Sequence, residues 1–424
     1  MTDATDAVAT PSLLDAYRSV RAATERLCAP MSAEDQTVQA MADASPAKWH
    51  RAHTTWFFET LVLEAGVPGY RPFDGLFRVL FNSYYNSVGA QHPRAERGLV
   101  TRPGVAETTA YRAHVDAAME RLLAAGVDEH LATVVEVGLH HEQQHQELIA
   151  TDFKYLLSRN PLEPTYVPRP ARAERTAPDL TWLGHDGGIV EIGHEGAGFA
   201  YDNETPRHRT LLEPFRLASR PVTNREYLEF IADGGYRTAG LWLSDGWATV
   251  QQEGWEAPLY WRHDDADGWT TFTSWGRVPV APDEPVLHVS LYEADAYARW
   301  AGARLPSEAE WEVVAEGAAA DGTFQEEGGL HPHVAPDGPQ GAPVQMLGDV
   351  WEWTRSPYSA YPGYAPPEGA LGEYNSKFMC NQMVLRGGSC ATPADHIRAS
   401  YRNFFPAGAR WQFMGFRLAK DGRG

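Results

Sequence analysis

Four stretches in the first 160 residues repeat apolar positions every three or four residues: "SLLDAYRSVRAATERLCAP", "SPAKWHRAHTTWFFETLVLEAG", "TAYRAHVDAAMERLLAAG" and "HLATVVEVGLHHEQQHQELIATDFKYLL". That spacing, in segments rich in good helix formers, predicts four amphipathic helices, which fit an antiparallel bundle. Ser45-Pro46 reads as the start of the second helix, with Ser as cap and Pro at the first helical position. Between the second and third helices lies a non-helical insertion, about residues 66–106. It is longer than a bundle turn needs, and loops of that length usually carry function. The pattern stops in "RNPLEPTYVPRPARAERTAP", where five prolines favour an extended linker over helix. Beyond it, short apolar runs punctuated by Gly and Pro predict short strands and turns, with one distinct helix at "SLYEADAYARWAGA". The expected fold class is therefore α+β in two domains: a helical domain over 10–160, a proline-rich linker over 161–178 and a loop-rich domain over 179–424.

Charge narrows the partners. The 424 residues carry a formal net charge of −20, and such a surface repels polyphosphate, so nucleic acid and anionic membranes are not expected partners. No apolar run reaches the roughly 18 residues needed to span a bilayer. The first ten residues, "MTDATDAVAT", lack the basic and apolar regions of a signal peptide. Three cysteines, Cys28, Cys380 and Cys390, are too few and scattered for a disulfide framework. The expectation is a cytoplasmic protein with reduced thiols.

The chemistry concentrates in "LHHEQQHQEL". A helix through 134–156 places Val134, Val137, His141, His145, Leu148 and Asp152 on one stripe. In the second helix Trp49, His53, Trp56, Phe57 and Thr60 share a mostly apolar stripe. Three inward histidines on two helices can converge, and bundle interiors are a common place for metal sites. A lone inward histidine is more often a hydrogen-bonded core residue, and His50 and His140 are near neighbours that spacing alone does not exclude. The string also contains HExxH, the zinc-protease signature. A protease needs a further ligand downstream. After His145 there is neither a glycine turn nor another histidine, and Glu163 and Glu174 sit in the linker. Three histidines leave open positions on either zinc or iron(II). Only the redox metal can couple oxygen to an organic substrate.

"SPAKWHRAHTTWFFET", "LFNSYYNSVGAQHPRAERGL" and "LHHEQQHQEL" together resemble the sulfoxide synthases of ergothioneine biosynthesis (hercynine oxygenases), closest to the branch that uses cysteine. The first half resembles a DinB-like four-helix bundle. "DNETPRHRTLLEPFRLASRPVTNREYLEF", "ARLPSEAEWEVVAEGA", "LGDVWEWTRSPY" and "VLRGGSCATPADHIRASYRN" resemble the formylglycine-generating (sulfatase-modifying, C-type-lectin-like) fold. The resemblance implies iron(II), Fe(II), held by His53, His141 and His145. It implies a reaction in which cysteine is joined to C2 of the imidazole of hercynine (Nα-trimethylhistidine) with consumption of O2, giving hercynylcysteine sulfoxide. It further implies that Tyr84 and Tyr85 jointly donate protons and electrons, that Arg94 and Arg97 bind the carboxylate of the thiol substrate, and that Gln144 lies on the hercynine side. By motif, Asn403 would contact hercynine, and Phe404 and Phe405 would line the pocket. Relatives that use γ-glutamylcysteine carry a charged residue in this stretch; two phenylalanines favour cysteine or another small thiol. Formylglycine-generating chemistry itself needs a close cysteine pair near "RGGS", and "ATPADHIRAS" supplies no partner for Cys390.

Three alternatives keep parts of this pattern. A selenoneine synthase would use a selenosugar with hercynine. A zinc-dependent DinB-like thiol transferase would use the same histidines without oxygen. A lectin-like binding module with a structural metal would not be an enzyme.

Overall fold

A computed structural model describes residues 12–171, 175–339 and 341–422. The expected leaderless residues 1–10, Glu174 and the ends of the predicted second domain and linker interior (423–424, 172–174) lie outside the described residues. The chain packs as two compact units. One comprises the described residues up to Tyr84 together with Val88–Ile149, and the other comprises Tyr85–Ser87 together with the described residues from Ala150 onward.

The first unit is helical. Its helices are α1 (Leu13–Cys28), α2 (Ala47–Phe57), α3 (Val105–Ala125) and α4 (Glu129–Ser158), the last continuing beyond Ile149. A π-helical stretch, Phe58–Leu63, extends α2; such irregular turns occur frequently at functional sites. The start of α2 differs from expectation. Pro46, at φ −60° and ψ 143°, occupies the cap position and helix begins at Ala47. The buried hydroxyl of Ser45 instead accepts from Arg97 Nη1 at 2.9 Å. The insertion also holds more helix than expected, a turn at Phe77–Leu80 and a 3-10 segment at Arg94–Leu99. Gly138 on α4 permits close packing with α2, because a Cβ there would stand 2.6 Å from the Phe58 ring and 2.8 Å from that of Phe57.

A buried ionic network joins the helices. Glu142 of α4 accepts from Arg21 of α1 at 2.8 Å, Arg112 of α3 at 3.0 Å and Thr24 at 2.7 Å. Arg112 also donates to the Arg51 carbonyl of α2 at 3.0 Å. Burying one carboxylate is tolerable here because it meets two guanidinium groups and a hydroxyl.

The second unit is built on short sheets. A four-stranded sheet runs in the order Asn403–Phe405, Met383–Arg386, Trp351–Pro357, Met414–Gly415. Phe404 stands opposite Val384 in its antiparallel register. Trp311, Trp351, Trp353 and Phe413 fill the interior. Beside the expected helix, Leu291–Trp300, this unit holds Asn224–Ala232, Ser244–Glu253 and Glu308–Ala315. Two of the three additional helices begin with reciprocal side-chain caps, Thr223 with Glu226 and Ser307 with Glu310. Among the described residues, no helix is long and apolar enough to cross a membrane.

Candidate metal centre

The predicted histidine stripes meet. His53, His141 and His145 are all buried, and one ligand atom from each lies within 4.8 Å of the others. His53 is pinned on both faces. Its ring stacks on Trp49 at 4.6 Å and on Trp56 at 5.6 Å, each 12° from parallel. These aromatics stand one turn before and after it on α2, which is why the apolar stripe read from the sequence surrounds a polar ring. His53 Nδ1 lies 2.6 Å from the Phe81 carbonyl. A carbonyl only accepts, so Nδ1 carries the proton and Nε2 keeps its lone pair. That Nε2 is 3.2 Å from His141 Nε2. Two imidazole nitrogens at right angles on one ion, each about 2.1 Å from it, stand about 3 Å apart. The spacing fits a shared cation.

Burial depresses all three basicities. It is the largest influence on each, and the neighbouring imidazoles add repulsion at His53 and His145. His141 falls to about 3, with Glu142 opposing and His50 reinforcing the effect of burial. Neutral rings at pH 7 offer lone pairs, as metal binding requires.

His50, left open by spacing, has a distinct place. Its Nδ1 contacts His145 Nδ1 at 2.8 Å, on the side of the ring away from Nε2. Such a contact orients a ligating imidazole and selects its tautomer.

The protease alternative loses its base. Glu142 faces Arg21 and Arg112 rather than the histidines. Burial resists its ionisation, but the two guanidinium groups and Thr24 hold it down at about 2. Glu163 is likewise engaged by Arg277 and Arg262.

Residues 168–342 and 341–422 match the family of the Sulfatase-modifying factor enzyme 1-like domain. The chain is 36% identical to the hercynine oxygenase of Mycobacterium tuberculosis over 89% of this chain and 91% of that protein. The chain belongs to the hercynine oxygenase family. The hercynine oxygenase of Mycolicibacterium thermoresistibile is 35% identical, covering 89% and 87% of the two chains. Ergothioneine biosynthesis protein 1 of Schizosaccharomyces pombe is 30% identical over 53% of this chain and 28% of its own length.

The other residues singled out by resemblance to hercynine oxygenases are distributed unevenly. Arg97 is buried, with its guanidinium 3.3 Å over the Trp49 ring, forming a column Arg97, Trp49, His53. It donates to Ser45 and to Ser83 at 3.0 Å. Arg94 is exposed and donates to the Asp43 carbonyl at 2.6 Å. The two arginines therefore do not form one fork. Tyr84 is half-buried in the first unit, whereas Tyr85 is fully buried in the second. Gln144 is half-buried on α4. In the second unit Phe404 stacks on Tyr358 at 4.0 Å, Phe405 meets Trp411 edge-on at 6.2 Å, and Asn403 Oδ1 accepts from the Phe404 amide at 2.9 Å. All three cysteines are free, Cys390 buried and Cys380 exposed. His50 and Trp49 are the residues that sequence reasoning underused. Their signal was their one-turn spacing from His53.

Proposed function

We propose that the chain is an iron(II)- and O2-dependent sulfoxide synthase that joins cysteine to the imidazole C2 of hercynine, giving hercynylcysteine sulfoxide for ergothioneine biosynthesis. In this reading residues 10–160 are a DinB-like metal-binding bundle, 161–178 a linker and 179–424 a formylglycine-generating-enzyme-like domain. The convergence of His53, His141 and His145, with His53 Nε2 left unprotonated by Phe81, carries the reading. Similarity to hercynine oxygenases along nearly the whole chain supports its substrate.

The stoichiometry is self-contained. The thiol loses S–H and the imidazole loses C2–H. One oxygen atom ends on sulfur and the other leaves as water, so the two substrates supply all four electrons that O2 accepts. Bound by the three histidines, iron(II) supplies the redox chemistry that closed-shell thiol and imidazole lack.

The protein's own groups do the remainder. Three neutral imidazoles leave the cation's charge uncompensated, which favours the thiolate form of the donor. Arg97 is the principal contact for the donor's carboxylate, which its own guanidinium fork suits, and Arg94, exposed on the same 3-10 turn, contributes separately. By motif, Gln144 is assigned to the hercynine side, Asn403 to contact with hercynine, and Phe404 and Phe405 to the pocket lining. Tyr84 and Tyr85 deliver protons to the oxygen that becomes water.

Metal analysis combined with oxygen uptake tests the proposal. Bound iron, and uptake that requires both hercynine and cysteine, are expected. Bound zinc without uptake would establish the thiol-transferase alternative instead.

A further inference from the structure

The segment Tyr85–Ser87 groups with the second unit, although its sequence neighbours on both sides belong to the first. One side chain accounts for much of its attachment. Glu373 accepts from the Asn86 amide through Oε2 at 2.9 Å and from the Ser87 amide through Oε1 at 2.7 Å. Two consecutive backbone N–H groups thus meet the two oxygens of one carboxylate. Lys377 Nζ adds a third contact to Oε2 at 2.8 Å.

The carboxylate is held as an anion. Partial desolvation opposes its charge, but Lys377, Ser87 and Asn86 outweigh that and hold it at about 2. Hydrogen bonds to an ionised acceptor are roughly twice as strong as neutral ones. The clamp grips the Asn86 and Ser87 amides, and the Ser87 side chain adds a hydrogen bond of its own to the carboxylate.

The platform beneath Glu373 is firm. Glu373 ends the 3-10 segment Ala370–Glu373, and the next residue, Tyr374, is buried and stacks on Tyr201 at 5.4 Å and 11°. Four residues beyond Tyr374, Phe378 packs on Phe404 at 5.9 Å. One short segment therefore carries both the grip on the tyrosine loop and a ring against a candidate substrate residue.

We propose that Glu373 is a positioning residue for the Tyr84-Tyr85 pair, acting through the Asn86 and Ser87 amides to hold the Tyr85 backbone in one register. The inference rests on the proton-donor role given above to the tyrosines. A side chain that must deliver a proton to one site needs its backbone fixed, and misplacement by about 1 Å can lower a rate roughly 100-fold.

The test compares iron-loaded wild type, Glu373→Ala and Glu373→Gln supplied with hercynine and cysteine. The ratio of sulfoxide to thiol oxidised without a new C–S bond is measured, together with amide hydrogen exchange in the peptide over 84–90. Removing the carboxylate should lower the product ratio roughly tenfold and speed exchange at Asn86 and Ser87, with iron content unchanged. Gln keeps the shape and one carbonyl acceptor, so it should fall between. A Glu373→Ala protein with the wild-type ratio, or with wild-type exchange, overturns the proposal. If wild type itself forms no sulfoxide, the functional reading fails and this inference with it. If wild type forms sulfoxide and the variants match it, only the clamp fails. Should Glu373→Ala not fold, Glu373→Gln alone decides by the same two readouts.

Discussion

His50 and His145 face each other through their Nδ1 atoms at 2.8 Å inside the helical unit. The contact leaves the opposite nitrogen of His145 to the metal cluster and resists rotation of the ring. Replacing His50 with Phe keeps the bulk and removes the hydrogen bond. Affinity for iron(II), measured by anaerobic titration, should fall about 10- to 100-fold. Unchanged affinity would mean that packing against Trp49 suffices to orient His145.

Glu142 supplies the prediction on pH. Its folded pKa, about 2, lies below the ordinary value of 4.5. Between those values the unfolded chain binds a proton that the folded protein does not, so stability drops as the pH is lowered through that window. The contribution is fully present above about 4.5. Glu142→Gln removes one anion from Arg21 and Arg112, which keep Asp116 at 2.7 Å and Glu25 at 2.6 Å, and should cost about 1.5–3 kcal/mol at pH 7. The difference from wild type should shrink as denaturation is followed from pH 5 toward pH 2. A constant difference across that range would contradict the ionic network.

Tyr84→Phe and Tyr85→Phe each remove one hydroxyl and little volume. If the pair delivers protons during turnover, the product changes more than the affinity does. At least one variant should divert cysteine toward oxidation without a new C–S bond, while the KM for hercynine stays within about threefold. Full sulfoxide yield from both variants would count against the role.

The guanidinium of Arg97 is held over Trp49 and by two serine hydroxyls. Arg97→Lys keeps the charge but loses the planar fork and the stacking. The KM for cysteine should rise about tenfold or more, equivalent to about 1.4 kcal/mol of lost binding. Arg94→Lys, at an exposed position, should have the smaller effect. Equal effects, or a rise in the KM for hercynine alone, would reassign the carboxylate contact.

The histidine cluster was legible because it depends on local periodicity. His141 and His145 are one turn apart, and His53 lies among tryptophans at helical spacing, so each stripe declares its inward face. The partners of Glu142 were not legible. Arg21 lies 121 residues away and Arg112 lies 30 away, and nothing in "HHEQQH" shows that its glutamate turns from the histidines. The same holds for Glu373, 287 residues from Asn86. Arg94 and Arg97 looked equivalent in "HPRAERG", yet the 3-10 turn buries one and exposes the other. The helices Asn224–Ala232 and Glu308–Ala315 were missed in glycine- and proline-rich surroundings. Their signal, Thr or Ser followed three residues later by Glu, stands in "TNRE" and "SEAE".

The central claim is that His53, His141 and His145 together hold a redox metal that joins a thiol to hercynine. Its most direct test is mass spectrometry of the products of anaerobically iron-loaded protein, exposed to O2 with hercynine and with cysteine, γ-glutamylcysteine and a selenosugar in competition. Hercynylcysteine sulfoxide should dominate, and His53→Ala should abolish it. A product mass without a new C–S bond, or sulfoxide formation undiminished in His53→Ala, would contradict the account.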